Sequence, residues 1–178
     1  MATKEEHEHD QRSAEIAARH GMVWSLRLLM ESRDAGLTHL GGQSLALALR
    51  TQETGIKGDG NVFGHDPTIF VGAGRVTKAK YLRYKHERGP TGRGGMQGVG
   101  PLQLTYYTFQ DEADRLGGCW IVKYNYRVGF RDLAHLIRMY GNEHHALAVY
   151  NGGSKNPNYA YADSVLKHKS WWHKELTR

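Results

Sequence analysis

The most apolar part of the chain is a run of five aliphatic residues that begins at Leu45 and ends at Leu49. Five residues cannot cross a bilayer, which needs about 20, so the run belongs in a protein core. Leu45, Leu49 and Glu53 are four residues apart and would lie along one face of a helix. Gly55 follows, and glycine is a common C-terminal cap. We therefore predict a short buried helix at 43–53 that ends in a carboxylate at the edge of the core.

A carboxyl group at such an edge is partly removed from water, which disfavours its charged form and raises its pKa. A general acid that works near neutral pH needs this property. Glu53 is therefore a candidate proton donor. Periodicity alone also allows a solvated glutamate at a helix end.

The rest of the sequence predicts a mainly α (α+β) domain. Helical spacing and capping residues predict further helices at 13–31, 77–87, 104–116, 126–140, 142–151 and 158–172. Between them, the glycine-rich residues 57–76 contain β-prone runs at 61–63 and 68–71, which predict loops and a small hairpin. A length of 178 residues favours a single compact domain.

The charge distribution limits the classes of possible binding partner but does not select one of them. The net charge is +6, and residues 1–15 carry five acids and two bases, so the remainder carries +9. Such a surface favours nucleic acid, an anionic membrane or an acidic bacterial wall. Basic residues in 75–93 alternate with Tyr81 and Tyr84, a pattern that suits single-stranded nucleic acid, a glycan wall or an exposed helix with solvated lysines. The acidic segment around residues 7–10 reads as a solvated tail.

Several features indicate no cofactor and no metal. His144 and His145 are adjacent, so on a helix they point to different faces and cannot readily share an ion. The single cysteine, Cys119, cannot form an internal disulfide; we expect a buried structural thiol in a reducing compartment. Trp171 and Trp172 are expected to cap the core rather than to form an aromatic platform. The N-terminus lacks the apolar core of a secretion signal.

Three short motifs follow one another in a recognisable order. They are Glu53-Thr54-Gly55, Gly100-Pro101-Leu102-Gln103-Leu104 and Val149-Tyr150-Asn151-Gly152-Gly153. The set resembles the goose-type lysozymes and soluble lytic transglycosylases (glycoside hydrolase family 23). Together with segments 61–66, 95–101 and 109–118, it is most similar to the muramidase domains of endolysins from phages of actinobacteria. The resemblance covers about residues 45–166.

The resemblance implies a lysozyme-like fold in which residues 41–178 form the catalytic domain, residues 1–40 form an N-terminal helical extension, and the hairpin lies next to the active-site cleft. It implies cleavage of the β-1,4 bond between N-acetylmuramic acid and N-acetylglucosamine, with Glu53 as the general acid. Gln103 and Asn151 would bind sugar groups, and Tyr150 would orient Glu53. His65, Gly100 and Leu102 complete the expected substrate-binding set.

The family's second carboxylate is not obvious, because Thr105 stands where related enzymes often have aspartate. Asp66 is our candidate and Asp59 the reserve. A lytic transglycosylase needs no second acid, so hydrolysis and transglycosylation both stay open. So do a chitinase-like enzyme and a non-enzymatic basic module that binds wall polymer or nucleic acid.

The expected partner is the glycan strand of bacterial peptidoglycan, with no nucleic acid and no transmembrane segment, and the expected state is a monomer. A phage endolysin would accumulate in the host cytoplasm and reach the cell wall after a holin opens the membrane.

Overall fold

The computed structural model describes residues 3–65 and 71–178, which are mainly helical with one small antiparallel sheet. The helices are α1 (Lys4–Arg19), α2 (Ser25–Asp34), α3 (Leu37–Thr54), α4 (Lys78–Arg88), α5 (Tyr107–Leu116), α6 (Val122–Tyr140), α7 (Glu143–Gly152) and α8 (Tyr159–Leu176). Strands β1 (Val62–Phe63) and β2 (Gly74–Arg75) pair antiparallel. The predicted mainly α class with a small β element is confirmed. The partner of β1 is Gly74–Arg75 rather than the expected run at 68–71, of which 68–70 lie outside the described residues.

The chain divides into two compact units. The helical unit comprises Met1–Gly58 and Phe130–Arg178, and the central unit comprises Asp59–Gly129. The division falls within α6. The domain boundary expected after residue 40 lies inside α3, and the single compact domain stays a prediction.

Helix α3 lies at the centre of the helical unit. All five residues of its aliphatic run, from Leu45 to Leu49, are completely buried, as predicted. Helix α8 packs along α3, where the buried Trp172 donates its indole N–H to Thr51 Oγ1 at 2.9 Å. The expected core role of Trp172 is confirmed. At the N-terminal end of α3, Gly42 has φ +76° and ψ 169°, so the helical backbone restarts at residue 43.

The single helix predicted at 13–31 is wrong. Helix α1 ends at Arg19 and α2 begins at Ser25. Between them the chain leaves the helical path because Met22 is buried and its flanking backbone pairs with Gly58. The spacing of apolar residues cannot reveal this interruption of the helix, because a buried Met22 fits the apolar pattern both in a helix and in an extended segment.

The expected solvated tail at the N-terminus is also wrong. Helix α1 begins at Lys4 with a capping box formed by Thr3 and Glu6. Asp10 is only 2% exposed, forms an ion pair with Arg33 and accepts a hydrogen bond from Gln43 Nε2 at 2.7 Å. These contacts from α2 and α3 hold α1 in the helical unit.

The central unit is built around a separate apolar cluster. It contains Phe63, Tyr81, Tyr84 and Cys119, so the thiol is buried as expected. Tyr81 and Tyr84 are completely buried, so the two alternatives in which they stack on nucleic-acid bases or on sugars are not supported.

The basic stretch at 75–93 is largely paired with carboxylates of the same unit. Four ion pairs are Arg75–Asp59, Arg83–Glu87, Lys85–Asp114 and Arg88–Asp111. This pairing leaves less free positive charge on α4 than the sequence suggests.

No helix in the described part of the chain is long and apolar enough to cross a membrane.

Asp10→Ala is expected to lower the free energy of unfolding by about 3 kcal/mol, because it leaves a buried guanidinium without its carboxylate. Chemical denaturation monitored by circular dichroism measures the change. The control is Glu8→Ala, which removes an exposed carboxylate of the same helix that is 3.8 Å from Lys4 and should cost at most about 0.5 kcal/mol. Equal effects of the two variants would contradict the packing of α1.

Candidate active site

Glu53 is the penultimate residue of α3, and the chain that follows it is firmly held. The completely buried Arg50 donates hydrogen bonds to the carbonyl oxygens of Gly55 and, at 3.2 Å, Gly58. Gly55 has φ +80°, a conformation that favours glycine, and its N–H caps the helix by donating to Thr51 at 2.9 Å. These contacts fix the end of α3 and therefore the base of the Glu53 side chain.

Helix α8 supplies a phenol to the Glu53 carboxyl. Tyr161 is buried, and its hydroxyl donates a hydrogen bond to Glu53 Oε1. The backbone N–H of Tyr161 donates in turn to Asn158 Oδ1, which caps the start of α8, at 3.1 Å. One turn further along α8, Ser164 donates to Gln52 Oε1 at 2.6 Å. The adjacent residues Gln52 and Glu53 of α3 are thus each joined to α8 by a side-chain hydrogen bond.

Burial raises the pKa of the Glu53 carboxyl to about 7, and the hydrogen bond from Tyr161 opposes that rise. An ordinary glutamate has a pKa of 4.5. A large fraction of Glu53 therefore keeps its proton at neutral pH, as the sequence predicts for a carboxyl at the edge of the core.

Two tyrosines next to Glu53 stay protonated. Burial, followed by the charge of Glu53, raises the pKa of Tyr161 well above its ordinary value. Burial, then Glu53 and then Asp132 raise the pKa of Tyr150, on α7, in the same way. Tyr150 therefore lies near Glu53, but the phenol that bonds the carboxyl is Tyr161. Sequence pattern could not identify Tyr161 as this partner, because its only local feature is its position three residues after the cap Asn158.

Asn151 lies at the exposed C-terminal end of α7. Its Oδ1 accepts a hydrogen bond from Asn158 Nδ2 at 2.8 Å, so the cap of α8 also orients this amide. Gly152 is required here because a Cβ would come within 2.7 Å of the Asn158 backbone nitrogen. Asn158 therefore links Asn151 to Tyr161, and through it to Glu53.

The second motif lies in the central unit, where it builds a tight turn. Gln103 has φ +45°, and its Nε2 donates to the carbonyl oxygens of Val62 at 3.0 Å and Gly100 at 2.8 Å. Gly100 has φ +76°, and a Cβ there would lie 2.5 Å from Asn125 Nδ2. Leu102 is buried, and its N–H donates to Asn125 Oδ1 at 2.9 Å. Both donors of the Gln103 amide are thus engaged by backbone, and the sugar-binding roles of Gln103, Gly100 and Leu102 stay predictions.

The remaining site candidates are distributed as follows. Asp66, the expected second carboxylate, lies outside the described residues. Asp59, the reserve, forms an ion pair with Arg75 at 2.8 Å and accepts from the Asn61 N–H at 3.1 Å. His65 is exposed. Within residues 3–65 and 71–178, no three His, Cys, Asp or Glu side chains come together as a metal site would require.

Comparisons with protein-family models, with curated proteins and with solved structures give no match to this chain.

The raised pKa of Glu53 has a measurable consequence for stability. Below pH 4.5 the carboxyl is neutral in both the folded and the unfolded chain, and between pH 4.5 and 7 only the unfolded chain ionises readily. The free energy of unfolding of the wild type, relative to Glu53→Gln, is therefore expected to fall by about 3 kcal/mol as pH rises through this window. Urea denaturation of both proteins at several pH values measures the difference. A difference that does not change with pH would contradict the burial of this carboxyl.

Proposed function

We propose that this chain is a glycosidase that cleaves peptidoglycan at the β-1,4 bond between N-acetylmuramic acid and N-acetylglucosamine, with Glu53 as the general acid. The observation that carries the proposal is the half-buried Glu53, whose carboxyl has a pKa raised to about 7 and whose Oε1 accepts a hydrogen bond from the Tyr161 hydroxyl. Cleavage of a glycosidic bond requires a proton for the departing oxygen, and a carboxylic acid with a raised pKa can supply it.

The geometry around Glu53 suits donation from a single oxygen. Because Oε1 accepts from Tyr161, we assign the proton of the neutral acid to Oε2, the oxygen that would donate to the substrate. Tyr150 and Tyr161 both stay neutral, so they hold the acid without placing a second negative charge beside it. After donation, the Tyr161 hydroxyl stabilises the carboxylate that forms.

The substrate class rests on the resemblance to goose-type lysozymes and phage endolysins. A mainly helical chain with one small sheet is compatible with the lysozyme-like fold of that superfamily. Asn151 is exposed and its Oδ1 is taken by Asn158, so its Nδ2 is oriented to donate to a sugar hydroxyl or N-acetyl group. A net charge of +6 suits an acidic wall. We place the enzyme, on the same resemblance, in phage-induced lysis after holin-dependent release.

Hydrolysis and transglycosylation differ in the group that attacks after protonation. In an inverting hydrolase a second carboxylate, for which Asp66 is our candidate, activates water and lies about 6.5–9.5 Å from the acid. In a lytic transglycosylase the 6-hydroxyl of the muramyl residue attacks and a 1,6-anhydro end forms. Burial is the largest cause of the raised Glu53 pKa, so the mechanism with a single acid needs no second carboxylate to keep Glu53 protonated.

A nucleic-acid-binding module is the weaker alternative. It depended on exposed tyrosines among free cations, whereas Tyr81 and Tyr84 are buried and Lys85 and Arg88 are paired with carboxylates.

Glu53→Gln is expected to slow the clearing of a purified peptidoglycan suspension by about 10²- to 10⁴-fold, because the amide cannot donate the proton at the needed acidity. The control, Glu15→Gln, changes an exposed glutamate of α1 and should clear at the wild-type rate.

Mass spectrometry of the products identifies the reaction, since a reducing muramic acid end indicates hydrolysis and a 1,6-anhydro end indicates transglycosylation. A Glu53→Gln protein that clears at the wild-type rate would refute the proposal. A wild type that co-sediments with the wall without clearing it would support the binding module.

A further inference from the structure

Trp24 is an exposed tryptophan in an unfavourable backbone conformation. It is 55% exposed and has φ +65°, a left-handed value that is rare for a bulky residue. The other two tryptophans of the helical unit, Trp171 and Trp172, make an edge-to-face contact with ring centroids 4.7 Å apart, and both make edge-to-face contacts with His20. Trp24 thus presents its indole to solvent from a backbone that must be held in place by other contacts.

The indole borders an open pocket of about 510 Å³ between α1 and α2. Its lining includes Ala18, Met22, Leu26, Arg27 and Met30. The lining is therefore mostly apolar and includes one guanidinium, that of Arg27, which is paired with the buried Glu31 at 3.5 Å. The feature that distinguishes this pocket from a purely apolar groove is the exposed aromatic face of Trp24.

The backbone that carries Trp24 is tied to the chain that follows Glu53. Gly58 N–H donates to Gly21 O at 2.9 Å, and Val23 N–H donates to Gly58 O at 3.0 Å. Gly58 O also accepts from Arg50. Gly58 is five residues after Glu53, and five residues of extended chain span at most about 18 Å. The backbone that carries Trp24 is therefore hydrogen-bonded to a segment close in sequence to the candidate acid.

We propose that Trp24 and this pocket form a glycan-binding subsite, in which the indole stacks on the C–H face of a pyranose ring of the peptidoglycan strand that Glu53 cleaves. The inference rests on the proposed function for the identity of the strand. It adds a contact in the N-terminal helices, outside the motifs that carry the family resemblance.

The test uses the full chain with Glu53→Gln, so that binding is measured without cleavage. Trp24→Asn is added to it, because asparagine tolerates the left-handed backbone but lacks the indole. The control adds Met139→Gln, which changes another exposed apolar side chain of the helical unit. Co-sedimentation with purified peptidoglycan gives affinities, thermal melting gives stability, and size-exclusion chromatography gives the oligomeric state.

Trp24→Asn is expected to weaken peptidoglycan binding about five- to tenfold, with a melting temperature at or above that of the parent, while Met139→Gln changes neither. Unchanged affinity, or weaker binding that accompanies a lower melting temperature, would overturn the subsite. So would a loss of dimers on Trp24→Asn, which would make this face an interface between copies of the chain.

The two proposals can fail separately. If the wild type does not cleave peptidoglycan but Trp24→Asn weakens its binding, the subsite stands and the catalytic proposal fails. If cleavage depends on Glu53 while Trp24→Asn binds as its parent does, only the subsite fails.

Discussion

The chemistry proposed for this protein depends on keeping one carboxyl group out of water. Burial favours the neutral form of the Glu53 carboxyl, whereas a hydrogen bond donated to the carboxylate favours the charged form. The Tyr161 hydroxyl offsets part of the effect of burial, and the resulting pKa is about 7. An acid balanced in this way can both hold a proton and release it near neutral pH.

The surrounding helices maintain that balance. The fully buried run in α3 fixes the position of Glu53, and Trp172 and Ser164 of α8 bond Thr51 and Gln52, the two residues between Arg50 and Glu53. Asn158 caps α8 and also bonds Asn151, so one side chain holds both the exposed amide and the start of the helix that carries the buried phenol. Side-chain hydrogen bonds between helices therefore help to determine the position of the Glu53 carboxyl.

Sequence reasoning succeeded where a local signal determines the structure. The helix at 43–53, the burial of its aliphatic run and the raised pKa of Glu53 follow from spacing and chemistry within a few residues. It failed where distant contacts decide, because pairing with Gly58 breaks the helix predicted at 13–31 and Arg33 draws Asp10 out of solvent. Tyr161 was missed for the same reason, since it is 108 residues from Glu53.

The most direct measurement is the pKa of the Glu53 carboxyl, from ¹³C NMR titration of glutamate-labelled protein with Glu53→Gln to assign the signal. We predict a value of about 7 in the wild type and a higher value in Tyr161→Phe, because that variant keeps the burial and loses the hydrogen bond that lowers the pKa. A value near 4.5 in both proteins would mean that the carboxyl is solvated, and it would contradict the account.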